Sequence, residues 1–309
     1  MIKEGSSESV LDALRGDFVA VNLGCAGDPD PCLPAPWRRI LTVVEVDASE
    51  GSETTSRFHR RIALRGAVAG TAGRHPFRRN TFSASSSLRP PRAGLIEAYG
   101  MERYYQVAEV SEVECRTLPD VLADAGVARV DFLKTDLEGM DFEVLRTMVP
   151  RFGDILAIQA ELRFEPFYEG EPHFHEVVSY LAEHGFQLLD LKVERWKFRT
   201  RRRRRQRQGH AVWADVVFLR EAERIAQKPR LLAKQIALAR MLGKKNRAEY
   251  LLEQHGANLP EAWQRDLDRL ICSRCRGVGR AWRGGKRWLH PWLLWLKHRI
   301  GRSEHVAIP

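Results

Sequence analysis

Short apolar runs alternate with helical patterns through the first two thirds of the chain. Several of the runs are apolar almost throughout, as are strands buried on both faces of a sheet; they span residues 18–22, 40–46, 61–68, 130–135, 155–162, 186–193 and 212–219. Between them, "MDFEVLRTMV" and "HFHEVVSYLAEHG" place apolar residues at helical spacing. The alternation predicts an α/β fold with a mostly parallel sheet.

The last two predicted strands differ from the others, because no helical pattern separates them. The segment between them is "ERWKFRTRRRRRQRQGHA", which favours an antiparallel hairpin at the edge of the sheet. After residue 220 the pattern becomes helical. We therefore predict one α/β domain over residues 1–220, with an arginine-rich loop at 195–207, followed by a helical extension with a basic, Trp-rich tail over 221–309.

The positive charge of the chain is concentrated in that loop. The formal net charge is +10, and nine basic residues lie between residues 195 and 207. Because the rest of the chain is close to neutral, a broad nucleic-acid groove is disfavoured. Three interpretations stay open: a solvated loop, an anion clamp for a phosphorylated or uronic-acid substrate or for lipid headgroups, and nucleic-acid binding.

Cysteine usage and the chain ends bear on location. Five cysteines, an odd number, and an N-terminus without an apolar core predict a cytoplasmic protein. The stretch "WLHPWLLWL" is too short to span a bilayer. Tryptophans at helical spacing within 282–300 fit either peripheral contact with the inner face of a membrane or packing against protein. Cys272 and Cys275 form one CxxC, but the nearby histidines have the wrong spacing for a zinc finger.

The first predicted strand ends in a glycine turn, "NLGCAG", with Gly24 and Gly27. Glycines allow a tight turn and close approach of a cofactor to the main chain, although a plain surface turn has the same sequence. Asp47 ends the second strand, where an acid accepts hydrogen bonds from ribose hydroxyls; Glu45 is the alternative. Together these residues predict a nucleotide cofactor.

Carboxylates follow the fourth and fifth predicted strands. Asp136 and Glu138 come after "VDFLKT", and Glu161 ends "ILAIQAEL". Because parallel strands present their carboxyl ends at one edge, we expect these three to converge beside the cofactor. They could supply a general base or hold a divalent cation, and the alternative for each is a cap or a salt bridge.

Asp141 and Glu143 follow Gly139 in the first turn of a predicted helix. Negative charge is favoured there by the helix dipole. We expect both residues to be structural.

The segments "VDFLKTDLEGMDFEVL", "ELRFEPFYEGEPHFHEVVSYLAEHGFQLLDL" and "GHAVWADVVFLR" resemble the FkbM-type methyltransferases. The resemblance covers roughly residues 15–220. It implies a Rossmann-like methyltransferase sheet that binds S-adenosylmethionine and mostly methylates hydroxyls of sugars, glycans or macrolides.

The resemblance also implies roles for individual residues. Gly24 and Gly27 would face the methionine part of the cofactor and Asp47 its ribose. The serine-rich segment 83–88, with Ser86, would lie at the cofactor as well. Lys134, Asp136, Glu138 and Gly139 match the family pattern, whereas Asn22 stands where such enzymes carry an aspartate before the glycine turn.

The sequence thus predicts an S-adenosylmethionine-dependent O-methyltransferase acting on a hydroxyl of a sugar, a glycan precursor or a related small molecule. In this prediction Asp136, Glu138 and Glu161 are catalytic, and Asn22, Gly24, Gly27, Asp47 and Ser86 bind the cofactor. Two alternatives remain. One is a non-catalytic, membrane-associated adaptor with a methyltransferase-like fold, and the other is a nucleic-acid methyltransferase.

Overall fold

The structure is a computed structural model that describes residues 8–24, 34–47, 58–200 and 209–273. Its strands are β1 (Phe18–Leu23), β2 (Leu41–Asp47), β3 (Arg60–Arg65), β4 (Ala67–Val68), β5 (Gly73–Asn80), β6 (Val107–Arg116), β7 (Phe132–Thr135), β8 (Ala157–Arg163), β9 (Phe186–Trp196) and β10 (His210–Arg220).

Its helices are α1 (Val10–Leu14), α2 (Ala35–Arg38), α3 (Ala93–Tyr99), α4 (Glu102–Tyr105), α5 (Leu118–Asp124), α6 (Asp141–Thr147), α7 (Phe174–Glu183), α8 (Pro229–Met241), α9 (Lys245–His255) and α10 (Glu261–Cys272).

Seven strands form the main sheet, in the order β3-β2-β1-β7-β8-β10-β9. All neighbours pair in parallel except β10, which is antiparallel to β8 and to β9. The strand order reverses between β1 and β7, so ligands are expected outside the carboxyl ends of these two strands. The predicted Rossmann-like sheet with an antiparallel edge hairpin is confirmed.

Alternate side chains of the central strands enter two separate cores. Phe18 and Ala20 of β1 pack on one face with α1 and α8–α10, whereas Val19 and Val21 pack on the other face with α5–α7. This period of two is the geometry of an extended strand buried on both sides. It explains why the sequence of β1 is apolar up to Asn22.

The helices that follow β10 cover one whole face of the sheet. α8 is buried on all sides from Leu231 to Met241, and α9 and α10 pack against it within the same core as β1 and β2. Gly243, with φ of +77°, separates α8 from α9 where the sequence favoured one continuous helical pattern. The predicted helical extension is therefore, in its described part, a layer of the α/β fold.

α8 also contributes a buried ion pair. Lys234 is fully buried, and its Nζ donates to both carboxylate oxygens of Asp131 at 2.9 and 3.1 Å. Asp131 Oδ2 accepts a further hydrogen bond from the Val19 amide at 2.8 Å. The pair ties α8 to the amino ends of β1 and β7, opposite the expected ligand edge.

The part of the chain between β3 and α5 forms a second, three-stranded sheet, in the order β4-β6-β5. The sequence did not predict β5 or β6, and the run 61–68 that we predicted as one strand is two. It divides at Gly66 into β3 of the main sheet and β4 of the small one. Most of β6 is exposed, so its sequence lacks the apolar pattern of a core strand.

None of the helices in the described part of the chain is long and apolar enough to cross a membrane.

Candidate functional site

A row of polar side chains crosses the sheet near its carboxyl edge. Asn22 of β1 lies beside Lys134 of β7, and Lys134 lies beside Gln159 of β8. Asn22 is buried, with 5% of its surface exposed. The apolar strands thus become polar just before their carboxyl ends, which is where the sequence placed the cofactor.

Asp136, Glu138 and Glu161 come together at this edge. Each offers a carboxylate oxygen that lies within 4.8 Å of the other two. Asp136 is the most accessible, with 27% of its side chain exposed, compared with 12% for Glu138 and 8% for Glu161. The predicted convergence is present, and it forms a cluster with one open and two buried carboxylates.

Arg163 lies at the centre of the buried carboxylates. Its Nη2 donates to Glu138 Oε2 at 2.7 Å and to Glu161 Oε1 at 2.9 Å, while Nη1 donates to Glu171 Oε1 at 2.9 Å. Only 2% of the Arg163 side chain is exposed. One guanidinium therefore pairs with three carboxylates, so the negative charge around Arg163 exceeds its positive charge.

Burial, together with this excess of negative charge, raises the pKa values of Glu138 and Glu161. Burial raises the pKa of Glu138 to about 7, against the lowering effect of Arg163. Burial and the nearby Asp136 and Glu138 hold the pKa of Glu161 well above its usual value, again against Arg163. Burial lowers the pKa of Arg163, but Glu171, Glu161 and Glu138 outweigh it, so the guanidinium stays charged.

The turn that carries Glu138 has an uncommon backbone. Glu138 has a φ of +49° and is the one non-glycine residue in the described ranges with positive φ; Gly139 follows with +91°. Such strain persists where surrounding contacts fix the backbone. Here Ser87 Oγ donates to the Glu138 carbonyl at 2.6 Å, and Tyr168 Oη lies 2.9 Å from Glu138 Oε2. A Cβ on Gly139 would lie 2.8 Å from the Tyr168 ring.

The serine-rich segment reaches this turn through neighbours of Ser86. Tyr168 Oη also lies 2.9 Å from the Ser85 carbonyl oxygen, and Ser87 holds the Glu138 main chain. Ser86 itself accepts a hydrogen bond from the Asn80 amide at 3.0 Å. A cofactor role for Ser86 therefore stays a prediction.

The two acids of β2 are in different environments. Glu45 is buried, and its Oε2 accepts from Arg61 Nε at 2.7 Å within the sheet. Asp47 is the last residue of β2 and is half-buried. Asp47 is thus nearer the carboxyl end of β2 than Glu45, and its role as the ribose ligand stays a prediction.

Asp141 and Glu143 have structural partners. The Asp141 carboxylate is 3.3 Å from the Leu137 amide, and burial raises its pKa to about 6. Glu143 pairs with Arg89, which also donates to the Glu169 carbonyl at 2.8 Å. Both contacts hold α6 and the turn that precedes it in place, which agrees with a structural role.

Several predicted features fall outside the described residues: Gly27, residues 201–207 of the arginine-rich loop, the segment 282–300, and Cys275 of the CxxC. The predictions attached to them stay as they are.

Sequence reasoning missed Arg163, Glu171 and Tyr168. In "ELRFEPFYEG" the arginine is one of several charged residues and resembles an ordinary surface residue. A buried arginine leaves no periodic signal in the sequence. One signal was present: Arg163 directly follows the predicted strand 155–162, and a strand that continues by one residue, as β8 does, places the side chains of Glu161 and Arg163 on one face.

With this geometry in hand, the chain can be compared with known proteins. Residues 37–188 match the family model described as "Methyltransferase FkbM domain". The match runs from α2 into β9 and contains Asp47, Asp136, Glu138 and Glu161. No curated protein sequence matches the chain.

Two solved structures resemble the chain weakly. Both are of a Streptococcus pneumoniae protein described as "a putative tRNA (m1A22) methyltransferase", one of them in complex with S-adenosyl-L-methionine. Each is 12% identical and covers 85% of this chain; they are matched over 91% and 94% of their own length, with TM-scores of 0.28 and 0.24. At these TM-scores neither structure informs the fold or the function.

Proposed function

Residues 37–188 match the methyltransferase FkbM domain, and from that premise we propose that the chain transfers a methyl group from S-adenosylmethionine to a hydroxyl of a sugar, a glycan precursor or a related small molecule. The observation that carries the hydroxyl acceptor is the carboxylate cluster of Asp136, Glu138 and Glu161. A hydroxyl must lose its proton when it accepts a methyl group, and a carboxylate is a suitable acceptor for that proton.

The residues at the edge fit S-adenosylmethionine by their chemistry. Asp47 would hold the ribose hydroxyls, and the anionic edge near Asp136 suits a cofactor that carries an amino group and a positively charged sulfur. Asn22 keeps a hydrogen-bonding side chain at the end of β1. When bound, the cofactor supplies an electrophilic methyl group.

The chain's own groups would position and deprotonate the acceptor. Because the three carboxylate oxygens lie within 4.8 Å of one another, one hydroxyl can be within about 2.8 Å of two of them. We assign orientation of the hydroxyl to Asp136, which is the most accessible. We assign proton acceptance to Glu138, since a general base works best when its pKa is near the operating pH.

The position of the arginine-rich hairpin favours an anionic acceptor. β10 pairs Trp213 with Arg163 of β8 and Ala211 with Arg195 of β9, so the hairpin leaves the sheet beside the cluster. Arg199 is tied to the main domain by its amide, which donates to Ala98 at 2.7 Å, and by a 2.6 Å pair with Glu102. A phosphate or uronate on the acceptor would be attracted there.

Calorimetry with S-adenosylmethionine tests the cofactor part. We expect binding by the full chain and a loss of about tenfold or more in Asp47→Asn. Glu249→Gln, which removes an exposed carboxylate of α9, is the control that should bind normally. Absence of binding at millimolar cofactor would refute the proposal, and binding to lipid vesicles without cofactor binding would favour the adaptor.

Methyl-labelled cofactor tests the acceptor. Neutral sugars, nucleotide-linked sugars, uronic acids and RNA are each incubated with the chain, and label is followed into each. An alkali-stable methyl ether on a sugar is the expected product, because an ester would be hydrolysed. Label that enters only RNA, with tight salt-dependent binding, would replace the proposal with the nucleic-acid alternative.

A further inference from the structure

Arg163 has no assigned part in the reaction, yet it contacts two of the three carboxylates. Both contacts use the same nitrogen, Nη2, at 2.7 Å from Glu138 and 2.9 Å from Glu161. The other terminal nitrogen is held by Glu171. One nitrogen therefore bridges the functional carboxylates, and the other fixes the guanidinium in place.

Glu171, which anchors the guanidinium, is itself held by the main chain. Glu171 Oε2 accepts hydrogen bonds from the amides of Phe167 at 2.9 Å and Tyr168 at 3.2 Å. The Arg163 guanidinium carbon lies 5.1 Å from the centre of the Tyr168 ring. Arg163 therefore cannot shift toward one carboxylate without disturbing the loop that follows β8.

We propose that Arg163 is a positioning residue of the methyl-transfer site: the shared Nη2 contact holds Glu138 and Glu161 beside Asp136 and keeps Glu138 ionised, ready to accept a proton, near neutral pH. The inference rests on the proposed function, because it gives Glu138 the part of proton acceptor. It extends that function by naming the group on which the base depends.

The charges that face Glu138 come from several elements: Lys134 and Asp136 at β7, Asp141 on α6, Glu161 and Arg163 on β8, Tyr168 and Glu171 in the loop after β8, and Tyr105 on α4. Of these, Lys134 is paired with Asp136 at 3.6 Å. Arg163 is thus the cation that contacts Glu138 directly among the described residues. Its removal leaves Glu138 among carboxylates.

The matched control is Arg220, a second buried arginine of the main sheet. It donates to the carbonyl of Ile155 at 2.9 Å and to that of Phe152, at the opposite end of β10 from the cluster. Arg220→Ala should lower stability much as Arg163→Ala does, because each removes a buried hydrogen-bonded guanidinium. It should leave the chemistry of the cluster unchanged.

The test compares Arg163→Ala with Arg220→Ala in methyl-transfer kinetics over a range of pH. We expect Arg163→Ala to lower kcat about 100-fold, to leave the affinity for S-adenosylmethionine within about threefold, and to move the acidic limb of the pH profile up by about one to two pH units. Arg220→Ala should keep the wild-type limb. An unmoved limb in Arg163→Ala, or an equal shift in Arg220→Ala, overturns the proposal.

Arg163→Lys decides the matter if Arg163→Ala does not fold. Lysine keeps the charge but lacks the fork that reaches three carboxylates, so we expect kcat to fall about tenfold. A wild-type kcat in Arg163→Lys contradicts the proposal.

Infrared titration supplies a measurement that needs no acceptor. The band of a protonated carboxylic acid that disappears in Glu138→Gln should persist to higher pH in Arg163→Lys or Arg163→Ala than in the wild type. An unchanged band overturns the role of Arg163 even in an active enzyme. A shifted band in a chain that binds no S-adenosylmethionine refutes the proposed function instead.

Discussion

Gly24 packs directly on the main chain of Asp136. A Cβ at Gly24 would lie 1.9 Å from the Asp136 carbonyl oxygen, and Gly24 has a φ of +66°. The glycine that follows β1 and the main chain of the residue that follows β7 are therefore in contact across the point where the strand order reverses. The sequence predicted close approach of a cofactor to this turn, which stays a prediction; in the described residues the group that approaches Gly24 is the Asp136 backbone.

Gly24→Ala should disable the site. The new methyl group collides with backbone, so β1 and the Asp136 turn must separate, and we expect a loss of at least about 2 kcal/mol of stability together with cofactor affinity. Gly126→Ala is the control, because Gly126 has nearly the same φ, +68°, with open space around its Cβ position. Equal losses in urea unfolding for the two variants would show that backbone strain alone is responsible.

Asp136→Asn should lower kcat about 100-fold or more while the midpoint of thermal unfolding stays within a few degrees. The side chain is partly exposed and its ion pair with Lys134 is long at 3.6 Å, so we expect folding to depend little on its charge. Glu143→Gln is the comparison on α6, where we expect nearly normal turnover. If Glu143→Gln is the more damaging change to kcat, our division of the acids at Gly139 is wrong.

Lys234→Met should destabilise the fold by about 3–5 kcal/mol, since it leaves Asp131 buried without its cation. Adding Asp131→Asn should recover much of the loss, because the second change removes the uncompensated charge. Lys245→Met, which breaks an exposed pair with Glu249, should cost less than about 1 kcal/mol. Urea unfolding measures all four proteins, and a double variant no more stable than Lys234→Met would refute this account.

Stability should fall as pH rises from about 4 to about 7. Burial raises the pKa of Glu138 to about 7 and those of Asp131 and Asp141 to about 6, whereas these groups titrate near pH 4 when unfolded. The folded chain therefore holds more protons in this window, and the favourable term, complete below pH 4, is lost as pH passes through 6 to 7.

The contribution of Glu138 is isolated by comparing the wild type with Glu138→Gln. The difference between their free energies of unfolding should change with pH by up to about 1.4 kcal/mol per unit between pH 4.5 and 7. A difference that is flat over this range would mean that burial does not perturb Glu138.

Methyl transfer should survive chelation. The spacing of Asp136, Glu138 and Glu161 would suit a divalent cation, but the Arg163 guanidinium already bonds two of the three and supplies positive charge there. We expect equal rates in EDTA and in millimolar Mg²⁺. A loss of activity in EDTA that Mg²⁺ restores would show that a metal shares the cluster.

The central strands of the main sheet could be predicted because each contains a buried apolar run. β5 and β6 could not, since "GRHPFRRN" is charged and contains Pro76, and β6 is mostly exposed. Neither strand fills the main core, so neither needs apolar residues on a regular period. A periodic apolar pattern arises where a strand is buried, and most of β5 and β6 is not.

The clustering of Asp136, Glu138 and Glu161 was predictable, because their positions at strand ends follow from topology. Their electrostatics were not, since the pKa of Glu138 depends on its burial and on Arg163, 25 residues away along the chain. Lys234 was missed for a related reason. In "RLLAKQIALAR" a lysine looks like the solvated face of a helix, and only the packing shows that α8 has no such face.

The layer made by α8–α10 also sets an order of assembly. One face of β1, β2 and β7 is covered by helices that leave the ribosome after all seven strands. The N-terminal segment is fixed last, because it contacts α10. The Trp263 indole donates to the Glu8 carbonyl, and Asp266 accepts from the Val10 amide. Until residues 229–272 have been synthesised, the nascent sheet has an uncovered apolar face. Newly made chains therefore expose apolar strand surface until translation has passed residue 272.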